Sequence, residues 1–328
     1  MNAKLKSSSL LIDAIRPFWV KGINEVNGSP KFGFQLWITN EKFQIYNVVN
    51  EDSFDISYSI NDTPISSFAY DCSRLLNASI ESILNIKFDK SYPKSTAWHY
   101  IKLYYSAFFA AHSLLRMLGY SITQFSSIET NSIFKIADIY GYGSHKPSTG
   151  SYICKIAEDN KTIHCKLLNN KRGYHEAFWH EFLKIIEIIS TDILKNPNTF
   201  HQPASIKLFE LSKVLKHSKS SNGNWLSNIR NDINYKHIHG CWFPYSNIAK
   251  DYKNIYNIIN CLTADPLSID LQTNCANKLN YFINACSFLV CLNFNLALDM
   301  LYRCPIGKSF HYYGILSLAN NYKLKYIK

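Results

Sequence analysis

The chain has 328 residues, 47% of them hydrophobic and 18% charged, a balance that supports a sizeable buried core and excludes general disorder. No uninterrupted apolar run reaches the roughly 18 to 20 residues of a membrane-spanning helix; the longest, residues 285–298, is broken by Asn293 and Asn295. A formal net charge of +11 and a pI near 9.1 favour an anionic partner, nucleic acid foremost, although the joint richness in Lys, Asn, Ile, Tyr and Phe, all with A/T-rich codons, accounts for part of the lysine excess.

At the N-terminus, Lys4 and Lys6 precede a short apolar stretch that Asp13 and Arg16 cut off, too short for a secretory signal, and the expected location is cytoplasmic. The runs 32–38 and 43–49 are aromatic and β-branched and flank a turn at 39–42, which predicts a strand, turn, strand unit. Residues 54–60 alternate with period two and predict a third strand. The first 65 residues are thus expected to be a β-rich attachment.

From Ser66 the period becomes helical, with Phe68, Cys72, Leu75, Leu76, Ile80 and Ile83 on one stripe. After Pro93 a second helix is predicted from Thr96 to Leu118, ended by Gly119, and a third from Ile128 to Ile139. Residues 141–150 form a loop by composition, and 152–156 with 162–167 read as a β-hairpin inserted between helices. Helices resume over 175–194, 205–217, 225–237 and 247–262, with a long one inside 271–302. The expected fold is mainly α: a helical domain over 66–262 and a helical extension over 263–328.

The segment Trp225-Leu-Ser-Asn-Ile-Arg-Asn-Asp-Ile-Asn-Tyr-Lys-His237 follows a turn-rich stretch and has Asn224 placed to cap it. On a regular helix Arg230 and His237 are seven residues apart, within about 20° of one face and about 10 Å along the axis. Leu226 and Ile233 share that face, so the cationic pair sits in the apolar stripe. A buried arginine must be paired or must line a cleft, because an isolated buried charge is very costly.

Arg230-Asn231 followed by His237 resembles the R-x(4–6)-H motif of the HEPN superfamily, including the polar residue after Arg. The upstream run Tyr104-Tyr-Ser-Ala-Phe-Phe-Ala-Ala-His-Ser-Leu-Leu-Arg-Met-Leu-Gly119 resembles the tyrosine- and alanine-rich helix that often precedes the motif helix in these bundles. The resemblance covers residues 66–262. It implies a HEPN-like helical bundle and a metal-independent endoribonuclease of the toxin or anti-phage type, a homodimer whose two motif helices face each other and hold one RNA phosphate, with an antitoxin or defence-system protein as a further partner. His237 is then the proton-transfer group, Arg230 the phosphate contact and Asn231 a supporting hydrogen bond; Lys236 and His239 are expected to contact RNA, and no cofactor or metal is needed. Tyr235, on the opposite side of the helix, reads as structural.

Other motifs carry less. His175-Glu-Ala-Phe-Trp-His180 misses the zinc-protease spacing by one residue, which sets the two imidazoles about 140° apart on a helix. Cys154, His164 and Cys165 have no fourth ligand at a metal spacing, and residues 141–150 lack the G-K-[ST] ending of a phosphate loop. The nine cysteines include no CxxC pair and read as reduced core residues. The competing readings are a non-catalytic RNA-binding module on the same fold and a regulatory protein whose basic face meets an acidic partner.

Overall fold

A computed structural model describes residues 9–47, 49–88, 95–169, 173–195, 201–218, 220–242, 262, 264–271 and 278–321. Helix accounts for 61% of the structure, beside one small antiparallel sheet, so the fold is mainly α as the periodicities imply. In chain order the elements are α1 (Leu10–Ile15), α2 (Phe34–Thr39), β1 (Gln44–Ile45), β2 (Ser53–Ser57), α3 (Ile65–Phe88), α4 (Ala97–Met117), β3 (Tyr120–Phe125), α5 (Ser127–Ile139), β4 (Gly150–Ile156) and β5 (Thr162–Leu167). They continue with α6 (Tyr174–Lys195), α7 (Gln202–Leu215), α8 (Trp225–Asn231), α9 (Lys278–Tyr302) and α10 (Ile315–Asn321).

The helical core is built on α4. Helix α3 packs along it antiparallel, since the Ser113 hydroxyl donates to the Cys72 carbonyl at 2.9 Å while the Ser106 hydroxyl donates to the Ser79 carbonyl at 2.8 Å. Small residues at these crossings let the backbones approach, and each hydroxyl satisfies a buried acceptor. The same device joins α6 to α7, where Ser190 and Ser205 exchange hydroxyl-to-carbonyl bonds of 3.0 and 2.7 Å. Helix α9 also packs on α4. By length and composition its 25 residues could cross a bilayer, but 83% of its most apolar window is buried inside the protein.

The sheet runs β1-β2-β5-β4-β3, antiparallel throughout. The predicted hairpin is present, with Cys154 opposite Cys165 and both thiols buried and reduced. It is not a separate insertion, because β5 pairs with β2 and β4 with β3. The strand at 120–125 was not foreseen, although Tyr-Ser-Ile-Thr-Gln-Phe alternates. The rings of Phe54, Phe125 and Tyr152 on the sheet's inner face meet one another and reach Phe34 of α2, tying sheet to helices.

Three expectations need correction. The run 32–38 is not a strand: Phe34, Trp37 and Ile38 are buried at i, i+3 and i+4 on α2, and the Phe34 amide donates to Asp71 at 3.1 Å. Gly33 permits this approach, since a Cβ there would lie 2.5 Å from an Asp71 oxygen. The second run keeps only the two-residue β1, so the first 65 residues mix helix and strand and share the hairpin's sheet instead of forming a β-rich attachment. The helix predicted over 225–237 is regular only to Asn231; Asp232–Lys236 widen into a π turn, and His237 ends it in the left-handed region at φ 55°. The helix predicted at 247–262 lies, except for Leu262, outside the described residues.

Candidate functional site

Helix α8 buries Trp225, Leu226 and Ile229, and the π turn buries Ile233. Arg230, one turn from Leu226 and three residues from Ile233, is drawn into the same seam and is only 8% exposed. Among the described residues no carboxylate pairs with it, and its Nε has no hydrogen-bond partner. Its guanidinium instead lies 5.3 Å from the ring centroid of Tyr104 and 6.0 Å from that of Tyr105, where the aromatic faces offer part of the lost solvation. Another buried arginine makes the contrast: Arg116 lies 3.9 Å from Asp71 and donates to the carbonyls of Tyr120 and Ile122. The Arg116 Nε also has no hydrogen-bond partner, but a carboxylate stands within ion-pair distance of Arg116, whereas among the described residues none does so for Arg230.

Tyr104 organises what surrounds that charge. Its hydroxyl receives the Trp179 indole N–H at 3.0 Å and lies 2.8 Å from Nδ1 of His175. The contact engages Nδ1 of His175 and leaves Nε2 as the ring nitrogen outside the Tyr104 contact. Burial pushes the Tyr104 hydroxyl up to about 12, so it stays a donor. Burial, with the charge of Arg230 adding to it, pushes His175 down to about 4, so the ring is neutral at pH 7.

His175 stands in the first turn of the 22-residue α6, whose N-terminal dipole also favours a neutral imidazole and a nearby anion. Glu176 follows it and accepts from the Asn222 amide at 3.2 Å. Behind this layer lies His112, fully buried, stacked on Phe178 at 4.0 Å and 3.3 Å from the Tyr174 hydroxyl; burial holds it well below the usual histidine range.

The remaining motif residues lie further out. His237 is exposed and past the π turn, with its ring 5.8 Å from that of Trp242. The π turn breaks the regular seven-residue offset, so Arg230 and His237 differ in environment: one is in the α4 seam, the other at solvent. Asn231 is half-buried between them. Lys236 is exposed and pairs with Asp232 at 2.8 Å, and Nε2 of half-buried His239 lies 3.9 Å from the same carboxylate; burial lowers the His239 pKa more than Asp232 raises it. Asp232 thus occupies Lys236, whereas the His239 Nε2 makes no hydrogen bond among the described residues. Tyr235 is 69% exposed and does not pack in the core. Asn224 holds the cap position of α8 without a side-chain bond.

The end of the motif is anchored to α4. The Thr96 and Ala97 amides donate to the Cys241 carbonyl at 2.8 and 3.2 Å. The Trp242 indole donates to the Ile233 carbonyl at 2.8 Å, covering an acceptor in the π turn, and its ring meets Trp98 edge-on at 5.8 Å. Trp98 and Tyr105 are seven residues apart on α4, so one face of that helix runs from the His237 end of the motif to the Arg230 end.

The residues that sequence reading missed are Tyr104, Tyr105, Trp179 and His175. The two tyrosines were visible in the upstream helix, but His175 was weighed only as a zinc ligand. Among the described residues no group of three His, Cys, Asp or Glu side chains could hold a metal, and Cys154 faces the core while His164 bonds Asp55 at 2.7 Å on the outer face of the sheet. No family model matches the chain, and neither a curated protein nor a solved structure matches it.

Proposed function

We propose that this chain is a metal-independent endoribonuclease on a HEPN-like helical bundle, with Arg230 as the phosphate-binding group. The observation that carries this reading is the Arg230 guanidinium, buried, without a carboxylate among the described residues and facing two tyrosine rings. A buried cation without a counter-ion is costly to fold, and a phosphodiester supplies the missing charge with bidentate geometry. The basic chain draws RNA toward it.

The chemistry needs no cofactor. The RNA 2′-OH attacks the adjacent phosphorus and the P–O5′ bond breaks, leaving a 2′,3′-cyclic phosphate and a 5′-OH. His237, exposed at the end of the motif, takes or returns the proton, while Arg230 offsets charge developing on the phosphate oxygens. Asn231 supports the phosphate from the next position. Because His237 is at solvent and Arg230 in the seam, the complete constellation is assigned to two copies facing each other across their motif helices. A toxin or anti-phage role, with an antitoxin or defence-system partner, follows from the motif's resemblance alone.

The test is the chemistry of the ends. An oligoribonucleotide incubated with the protein in EDTA should yield 2′,3′-cyclic phosphate and 5′-OH products, while the DNA of the same sequence stays intact. Ends of the 3′-OH and 5′-phosphate type, or equal cleavage of DNA, would refute the mechanism. One observation favours a second reading, an RNA-binding module without turnover: Arg230 lies in the α4 seam and His237 at solvent beyond the π turn, so one copy does not bring the two together. Binding without any cleaved product, in monomer and dimer alike, would establish that reading.

A further inference from the structure

We infer that His175 is a second phosphate-binding residue, donating its Nε2–H to the phosphodiester that Arg230 holds. The inference rests on the phosphate-binding reading of Arg230 and extends it to a residue outside the motif helix, contributed by the first turn of α6.

The network around Tyr104 carries the argument. The Tyr104 hydroxyl, which receives the Trp179 indole N–H, lies 2.8 Å from Nδ1 of His175. Nδ1 is thereby engaged, and the ring proton is assigned to Nε2, the nitrogen left to a ligand. Trp179 is buried and Tyr104 is fixed on α4, so the ring orientation is set before any ligand arrives. The ring is also placed by its contacts with Tyr104 at 5.6 Å, Tyr105 at 6.0 Å and Phe108 at 4.6 Å. Arg230 faces the same two tyrosines. A phosphodiester placed against Arg230 therefore meets a fixed N–H, with the α6 N-terminus behind it. The charge of Arg230 disfavours protonation of the imidazole, so His175 acts here as a neutral donor and leaves proton transfer to His237.

The experiment uses a 2′-O-methyl oligoribonucleotide of mixed sequence, which cannot be cleaved because its nucleophile is blocked, and reads its Kd by fluorescence anisotropy. His175→Leu should weaken binding about tenfold or more, the range of a lost hydrogen bond to a charged group. His175→Gln, whose amide N–H reaches the position of Nε2, should restore affinity to within about threefold. Tyr104→Phe keeps the imidazole and the volume but releases the tautomer, and should weaken binding a few-fold; it decides the matter should the leucine variant melt early. Unchanged affinity in the leucine and phenylalanine variants overturns the inference, as does failure of glutamine to rescue, or no binding by the wild type. Cleavage of unmodified RNA is scored separately: binding lost in His175→Leu with no cleavage by any version leaves His175 a phosphate ligand and removes the ribonuclease reading, whereas cleavage with His175-independent binding does the reverse.

Discussion

Replacing Arg230 by methionine separates a functional arginine from a structural one. Arg230→Met keeps an unbranched apolar stem and removes the charge. In the wild type the orphaned Nε–H costs about 1–3 kcal/mol, and the contacts with Tyr104 and Tyr105 return about 1–3 kcal/mol together. These terms nearly cancel, and the substitution also relieves the desolvation of an unpaired charge, so unfolding stability should be unchanged or higher. A structural buried ion pair behaves differently, since removing one partner costs about 3–5 kcal/mol. Urea unfolding followed by circular dichroism reads the difference, with the oligonucleotide Kd measured on the same samples. The expected outcome is native or higher stability with RNA binding and cleavage lost. Destabilisation above about 3 kcal/mol with binding retained would refute the reasoning and return Arg230 to the core.

Three further predictions follow from the same structure. His311 is fully buried with neither ring nitrogen hydrogen-bonded, and burial pushes it down to about 3, while His112 is held low by burial as well; both stay neutral in the folded state and protonate near pH 6.5 when unfolded. Their contribution is therefore complete above pH 6.5 and lost as pH falls toward 3, at about 1.4 kcal/mol per pH unit for each, so His311→Leu should flatten the decline in urea midpoint between pH 6.5 and 4.5. Ser126 and Glu129 form a reciprocal cap on α5, and Ser126→Ala should cost about 1 kcal/mol, read as a fall of about 2 °C in Tm. Trp242→Phe strips the Ile233 carbonyl of its donor and should cost about 1–3 kcal/mol while lowering cleavage more than binding, because it loosens the segment that carries His237; equal losses in both would contradict that division.

The long helices were legible because each buries a stripe at helical spacing, and α3 to α7 lie close to their expected positions. Helix α2 was misread because five aromatic and branched residues beside a glycine satisfy either period, and only the Asp71 contact decides. The sheet order was hidden for a different reason: β2 pairs with β5 across more than a hundred residues, and alternation reveals a strand but not its neighbour. Within the site, Arg230 stood out because i, i+4 and i+7 place it among apolar residues. The position of His237 could not be read, since seven residues predict one face only if the helix stays regular, and the π turn alters both angle and rise. His175 could not be read at all, because its role depends on α6 docking against Tyr104, 71 positions away.

The most direct test of the central claim is RNA cleavage in excess EDTA by the wild type, His237→Ala and Arg230→Met, each first shown to be folded. Cleavage by the wild type alone is the predicted result. Equal cleavage by either variant would place the chemistry elsewhere, and dependence of wild-type cleavage on a divalent cation would contradict a 2′-OH mechanism run by arginine and histidine.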